Sequence, residues 1–137
     1  MQIKTSNYLN IGQIYTRAEL RAAFGVNDAT INNGIFQPGN HSSIWLFVTQ
    51  FKTRDRTQYR DLLDGDTLTF ESQRSARYDQ RLTEHVENGT EVLLFYRRDK
   101  NEYSPGAGFR YEDPFEFVDH TLNEPAIFTF GRRDCLD

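Results

Sequence analysis

The sequence predicts a mainly β fold with a minor helical part, built as a closed or partly open barrel of about six or seven short strands. Aromatic residues make up 14% of the chain, with 11 Phe and 7 Tyr, and such rings suit half-buried pleated surfaces. The apolar runs have the length of strands, and turn residues separate them. The 137 residues are enough for one core and too few for two, so we expect a single domain over residues 1–137.

One short helix is predicted after residue 16. Thr16 is a favourable N-cap, Glu19 occupies the third helical position, and Gly25 can end the helix. A second short helix is compatible with the rest of the pattern.

The strands follow this helix. Ser43–Gln50 is almost continuously apolar, which is typical of a central strand buried on both faces. Asp64-Gly65 and Asn88-Gly89 predict tight turns. The remaining strands are expected at Ile35–Pro38, Asp66–Glu71, Val92–Arg97, Phe109–Glu112, Phe115–Val118 and Ile127–Phe130, while the pattern at Tyr59–Leu63 is ambiguous.

The charges are unevenly distributed. A net charge of -4 argues mildly against nucleic acid, but much of the acidity lies in one stretch. Between Asn101 and Phe128, six acids (Glu102, Glu112, Asp113, Glu116, Asp119 and Glu124) accompany the single base Arg110. Thirteen of the 16 basic residues are Arg, whose planar fork binds phosphates and guanine edges in a bidentate manner. Surface ion pairs with the acids are the alternative explanation for these arginines.

No pattern in the sequence indicates catalysis. His41, His85 and His120 are isolated from one another, so we expect no metal site and no cofactor. Asp64-Gly65-Asp66 is better explained as a hairpin turn than as a magnesium site. Cys135 is the only cysteine and has no partner for a disulfide, and no leader or long apolar run is present. We therefore expect a cytoplasmic, non-catalytic protein that is not in a membrane.

Two polar loops remain as candidate binding elements, because recognition usually resides on loops that a rigid scaffold positions. The first loop offers amide, carboxylate and hydroxyl groups, at Asn27, Asp28, Thr30, Asn32 and Asn33. The second loop offers side chains that pair with base edges in the major groove, within Gln73, Arg74, Ser75, Arg77, Tyr78, Asp79, Gln80 and Arg81. A basic cluster of Lys52, Arg54, Arg56 and Arg60 is a candidate phosphate clamp. The competing interpretation is that the two loops and the basic cluster are solvated connections without a binding function.

The order of these segments resembles the B3-like DNA-recognition domain of restriction endonucleases, of the EcoRII effector-domain type and more closely that of UbaLAI. The resemblance rests on the polar loop running into GIFQP, on the arm ESQRSARYDQRLTEH and on the hydrophobic strand EVLLFYRR. Parts of the chain, such as GIFQPGNHSSIWLFVT and GAGFRYEDPFEFVDH, also resemble an uncharacterised module of bacterial helicases and nucleases.

This resemblance implies an open seven-stranded pseudobarrel whose two arms enter the major groove of double-stranded DNA. The arms would fall on Asn27–Asn33 and Gln73–Arg81, with Arg74, Arg77 and Arg81 as the foremost base-reading residues. It further implies the targeting domain of a bacterial restriction endonuclease, covalently attached to a nuclease domain, and we expect a monomer.

Two other functions stay open at this point. The many aromatic rings would also suit a reader that flips a modified base into an aromatic pocket, although most of them lie in strand patterns typical of a core. A protein-interaction module that uses the acidic surface between Asn101 and Glu124 is the third possibility.

Overall fold

A computed structural model describes residues 4–27, 34–39, 41–50, 61–71, 78–103, 108–121 and 126–133. Within these residues the chain forms eight strands, two α-helices and one 3₁₀ turn at Thr5–Tyr8. The strands are β1 (Ile14–Thr16), β2 (Ile35–Phe36), β3 (Ser43–Thr49), β4 (Leu62–Asp64), β5 (Thr67–Glu71), β6 (Glu91–Arg97), β7 (Gly108–His120) and β8 (Ile127–Arg132). The helices are α1 (Arg17–Phe24) and α2 (Asp79–Thr83).

The strands form one open, mixed sheet in the order β2-β3-β6-β7-β8-β5-β4, and β1 pairs with the start of β7. Strands β3 and β6 are parallel over their full length, from Ser43 opposite Glu91 to Thr49 opposite Arg97. The other pairings are antiparallel. The predicted mainly β, open pseudobarrel is confirmed, with seven strands on the continuous path and β1 as an addition.

Strand β3 is buried on both faces, as its apolar run predicts, because a separate core lies on each side of it. Its even-numbered residues, such as Leu46, join the α2-side core, which α2 enters through Leu82. Its odd-numbered residues, such as Trp45, join the α1-side core, which α1 enters through Leu20. The α1-side core is mainly aromatic and consists of Leu20, Phe36, Trp45, Phe47, Leu93, Phe95, Phe109 and Tyr111.

Helix α1 begins and ends where the sequence predicts. The Thr16 hydroxyl accepts a hydrogen bond from the Glu19 backbone N–H at 3.0 Å, and the Glu19 carboxylate accepts one from the Thr16 backbone N–H at 2.9 Å. This capping box satisfies two of the unpaired donors at the start of the helix. Gly25 ends the helix in the left-handed conformation, with φ 64°.

The two predicted strands between residues 109 and 118 are wrong as separate elements, because Gly108–His120 is one continuous strand. Pro114 lacks the N–H that a central strand normally donates, and it interrupts the apolar pattern. Strand β7 accommodates it opposite Leu93, next to a register shift at Leu94 and Phe95 of the β6 partner. Because the register shifts at this point, β7 continues beyond Pro114, a residue that normally ends a central strand.

Turns and loops agree with the sequence in part. Gly65 and Gly89 have φ 62° and 70°, so both predicted tight turns are confirmed. The ambiguous segment ends in the short strand β4, which pairs with β5 across the Gly65 turn. The second polar loop, predicted to extend to Arg81, is wrong at its end, because Asp79–Thr83 is helical and buries Leu82.

A buried hydrogen-bond network fastens the 3₁₀ turn to the start of β3 and β6. The Glu91 carboxylate, 2% exposed, accepts hydrogen bonds from the hydroxyls of Ser43 and Ser6, both at 2.6 Å. The Trp45 indole N–H donates to the Thr5 hydroxyl at 3.0 Å. Since a buried carboxylate without partners would be costly, this network makes the 3₁₀ turn a fixed part of the fold.

Candidate nucleic-acid interface

Five of the predicted site residues fall within the described part of the chain. Asn27 is exposed just after α1, Tyr78 precedes α2, and Asp79, Gln80 and Arg81 lie in α2. The other members of the two loops and of the basic cluster lie outside the described residues and stay predictions, namely Asp28, Thr30, Asn32, Asn33, Lys52, Arg54, Arg56, Arg60, Gln73, Arg74, Ser75 and Arg77.

Arg81 is exposed and is held in place by neutral groups. Its Nη1 donates to the Gln37 side-chain oxygen at 3.1 Å, and its guanidinium carbon lies 5.0 Å from the centre of the Tyr78 ring. No carboxylate of the described residues pairs with it. Stacking and one hydrogen bond therefore orient the guanidinium while its charge and its other N–H groups face the solvent.

Gln37 joins Arg81 to His41. Its amide oxygen accepts from Arg81, and its amide nitrogen donates to the His41 backbone carbonyl at 3.4 Å. Because each end of the amide has a partner of the opposite hydrogen-bonding type, the orientation of the Gln37 side chain is fixed.

His41 presents one ring nitrogen to solvent. Its Nδ1 lies 2.7 Å from the Gly39 carbonyl oxygen, and a carbonyl only accepts, so Nδ1 carries a proton and donates. In the neutral ring Nε2 is then an acceptor. The described residues contain no buried side-chain nitrogen or oxygen that lacks a hydrogen-bond partner, and none of them is bonded to this Nε2. The Nε2 lone pair of His41 is therefore accessible.

Ring contacts and hydrogen bonds connect the helix before the first polar loop to the helix after the second. The ring centre of Phe24, at the end of α1, lies 5.7 Å from that of His41 and 6.3 Å from that of Tyr8. The first loop leaves shortly after Phe24, and the second loop ends at α2, where Arg81 reaches Gln37. We refer to the surface formed by Tyr8, Phe24, Gln37, His41, Tyr78 and Arg81 as the Arg81 patch.

Other arginines are engaged by acids, as the alternative interpretation of the arginine content expects. Arg110 pairs with Glu112 at 2.7 Å, and Arg133 approaches Glu116 at 3.9 Å. Arg17 and Arg97 stack on the Phe109 ring of the α1-side core, with their guanidinium carbons 5.0 and 4.1 Å from its centre.

Arg132, at the end of β8, connects the turn between β4 and β5 to strand β7. Its Nε donates to the Asp66 carboxylate at 2.7 Å, and its Nη1 donates to the Glu112 backbone carbonyl at 2.9 Å. Its Nη2 lies 3.4 Å from the Glu112 carboxylate, and its Nη1 lies 3.6 Å from that of Asp113. These hydrogen bonds raise the pKa of Arg132 against the lowering effect of its burial, so this arginine serves the fold.

The acidic stretch between Asn101 and Glu124 is not one exposed surface. Glu112 and Asp113 are 7% and 6% exposed and face Arg132. Asp119 is exposed, and Glu116 is half-buried beside Arg133. The protein-interaction function is thereby weakened, because two of the six acids on which it depends are inside the molecule.

Within the described ranges no three His, Cys, Asp or Glu residues are grouped closely enough to hold a metal ion. The same part of the chain contains no helix long and apolar enough to cross a membrane.

Sequence reasoning missed Gln37 and His41. Gln37 was assigned only to the end of a strand before Pro38, and His41 was considered only as a metal ligand. Their role depends on a contact with Arg81, which lies 44 residues from Gln37 in the chain. A polar GNH segment directly after an aromatic strand was the available signal.

The fold is similar to that of solved structures that include two DNA complexes and a restriction enzyme. The chain superposes on KRYPTONITE in complex with mCHG DNA and SAH with a TM-score of 0.61, 15% identity and 90% of this chain covered. It superposes on KRYPTONITE in complex with mCHH DNA, an H3(1-15) peptide and SAH with a TM-score of 0.62, 15% identity and 94% coverage. It superposes on AbaSI, a 5-hydroxymethylcytosine-specific restriction enzyme, with a TM-score of 0.55, 20% identity and 88% of this chain covered.

The chain spans only about a third of these larger proteins, at 32%, 33% and 38% of their lengths. No protein-family model matches the sequence. No curated protein matches it either. At such low identity the superpositions establish a shared fold, which is broader than the specific B3-like relationship that the sequence order indicates.

Proposed function

We propose that this chain binds double-stranded DNA and recognises its bases through the Arg81 patch and the two polar loops predicted from the sequence. The observation that carries the proposal is Arg81, an exposed and pre-oriented guanidinium without a carboxylate partner among the described residues. A fixed guanidinium is the group that recognises guanine most often in the major groove. The DNA complexes and the restriction enzyme among the structural neighbours support the same function.

In this proposal the chain is the targeting domain of a bacterial restriction endonuclease. It acts in the cytoplasm as a monomer, has no catalytic residues or cofactor of its own, and leaves cleavage to an attached nuclease domain. The loops at 27–33 and 73–81 enter the major groove in the manner of B3-like domains, and Lys52, Arg54 and Arg56 contact phosphates. Phosphate contacts would position the domain, and base contacts would give it specificity.

An Arg81→Ala variant tests the proposal directly. If Arg81 contacts a base, its loss weakens binding to the preferred duplex by about 1–3 kcal/mol and relaxes the preference at one base pair. Binding to unrelated duplexes changes little. Fluorescence anisotropy with both kinds of duplex at several salt concentrations measures this, and Arg98→Ala is the matched control, because Arg98 is exposed and lies directly after β6. If binding to the preferred and the unrelated duplexes weakened equally, Arg81 would contact a phosphate and not a base.

Recognition of a modified cytosine is the second candidate function. Two of the neighbours are complexes with mCHG or mCHH DNA, and the third is specific for 5-hydroxymethylcytosine, so each of them concerns a modified cytosine. Such proteins can extrude the target base from the duplex and enclose it in a pocket.

Matched duplexes that contain cytosine, 5-methylcytosine or 5-hydroxymethylcytosine at one site distinguish the two candidates. A modified-base reader prefers one form, and a 2-aminopurine beside the target then becomes brighter on binding, because extrusion of the base unstacks it. A reader that contacts base edges in the groove shows no fluorescence change, whichever of the three duplexes it binds best.

A further inference from the structure

We infer that His41 and Arg81 together recognise a single C·G base pair, with Arg81 on the guanine and His41 on the cytosine. This inference rests on the proposed DNA-binding function and adds to it the base pair that the Arg81 patch accepts. It is carried by the hydrogen-bonded unit Arg81–Gln37–His41, which connects a cationic donor to a residue with an accessible ring nitrogen.

Arg81 supplies the donor half of the pattern. A guanidinium has five N–H groups, and the bond to Gln37 engages one of them, so two parallel donors remain for a ligand. In the major groove only guanine presents two adjacent acceptors, N7 and O6, to such a fork. Stacking on Tyr78 limits the rotation of the guanidinium plane and lowers the entropy lost on binding.

His41 supplies the acceptor half. Because its Nδ1–H is engaged by the Gly39 carbonyl, the accessible Nε2 can only accept while the ring is neutral. The partner it requires on a base edge is an amino group. Cytosine offers such a group at N4, directly beside the O6 of the paired guanine.

Gln37 connects the donor residue to the acceptor residue. Its amide oxygen accepts from the Arg81 guanidinium and its amide nitrogen donates to the His41 backbone carbonyl, so one side chain connects the residue that supplies the donors to the residue that supplies the acceptor. Two donors followed by one acceptor match the acceptor, acceptor and donor pattern across a G·C pair. An A·T pair presents an acceptor, a donor and an acceptor, so it leaves one of these protein groups unmatched.

Atom-substituted duplexes test the inference. Selection from random duplexes first gives the preferred site, and each C·G pair in it is then changed singly. In one series 7-deazaguanine removes the N7 acceptor, and in the other N4-methylcytosine removes the groove-facing amino hydrogen. We expect one C·G pair of the site at which both substitutions weaken binding by the wild type, each about tenfold.

The variants assign each contact to one side chain. Arg81→Ala should become insensitive to 7-deazaguanine but stay sensitive to N4-methylcytosine, and His41→Ala should show the reverse. Gln37→Ala should reduce both sensitivities while nonspecific binding persists, because Gln37 only positions the two groups. Urea unfolding of each variant verifies that it is folded.

If selection gives a motif but His41→Ala remains sensitive to N4-methylcytosine at every pair, the inference is wrong and the proposed function stands. The same conclusion follows if the two sensitivities fall on different base pairs. If no duplex is bound at low salt, the proposed function itself fails.

Discussion

Arg132 and Arg81 carry the same guanidinium group in opposite surroundings. Arg132 is 17% exposed in its side chain and faces the carboxylates of Glu112 and Asp113, whereas Arg81 is exposed and touches Gln37 and Tyr78. An arginine-rich composition is compatible with both uses. The environment of each guanidinium therefore decides which arginines support the fold and which are available to a ligand.

Replacing Arg132 by Met should be strongly destabilising. The change removes the guanidinium that lies 3.6 Å from the Asp113 carboxylate, and it leaves Glu112 with Arg110 but one cation fewer. The two acidic side chains are 8% and 9% exposed, and we expect a loss of about 2–3 kcal/mol in unfolding free energy. Urea unfolding measures it. Arg133→Ala is the control, since the side chain is 43% exposed and its loss should cost less than about 1 kcal/mol. Equal effects would contradict the structural role of Arg132.

His85 is a buried histidine with a structural role. Its Nδ1 lies 2.8 Å from the Thr90 carbonyl oxygen, and its Nε2 accepts from the Phe117 backbone N–H at 3.0 Å. Both bonds together require a neutral ring with its proton on Nδ1. Burial lowers the pKa of His85 below 6.5, in agreement with this assignment.

Acid should therefore weaken the fold through His85. The folded protein binds the proton less readily than the unfolded chain, so the contribution of neutral His85 is complete above pH 6.5 and is lost as the pH falls below that value. Urea midpoints at pH 7 and pH 5 should differ less in a His85→Gln variant than in the wild type. An unchanged pH dependence in the variant would assign the acid sensitivity to other groups.

At the scale of elements, helix α1 shows how much local sequence can determine. Thr16, Glu19 and Gly25 are read from the sequence as the start and end of the helix, and the structure has the capping box and the left-handed glycine at these positions. Each signal acts within one helical turn, so no distant contact is needed to recognise it.

Gly25 and Gly39 form a matched pair for testing this helix end. A Cβ would meet no atom within 4 Å at either position, but only Gly25 has a positive φ, of +64°. Gly25→Ala should cost about 1–2 kcal/mol through the left-handed conformation, whereas Gly39→Ala should change stability by less than about 0.5 kcal/mol. Thermal or urea unfolding compares them, and similar effects would show that φ is not the cause.

Strand β7 and helix α2 show where local patterns fail. The proline at position 114 divides the apolar pattern into two apparent strands, and only the register shift of β6 against β7 shows that pairing continues through it. Helix α2 has five residues and no side-chain cap, and it is stabilised mainly by burying Leu82 in the α2-side core. Such tertiary stabilisation leaves no periodic signal in a short polar segment.

At the scale of the whole molecule, the mainly β class and the open sheet follow from strand-length apolar runs and turn signals. The parallel pairing of β3 with β6 does not, since nothing local specifies which strands become neighbours. For the same reason the candidate site was predicted only in part. Arg81 could be proposed from its side-chain chemistry, but Gln37 and His41 join it through contacts between segments that are far apart in the chain.

The most direct test of the central claim is selection of bound duplexes from a random library by the wild type and by Arg81→Ala, each at low and at moderate salt. We predict that the wild type enriches one short motif containing a C·G pair, and that the variant enriches a motif degenerate at that pair. Enrichment of an identical motif by both proteins would contradict base recognition by Arg81, and enrichment by neither would contradict DNA recognition by this fold.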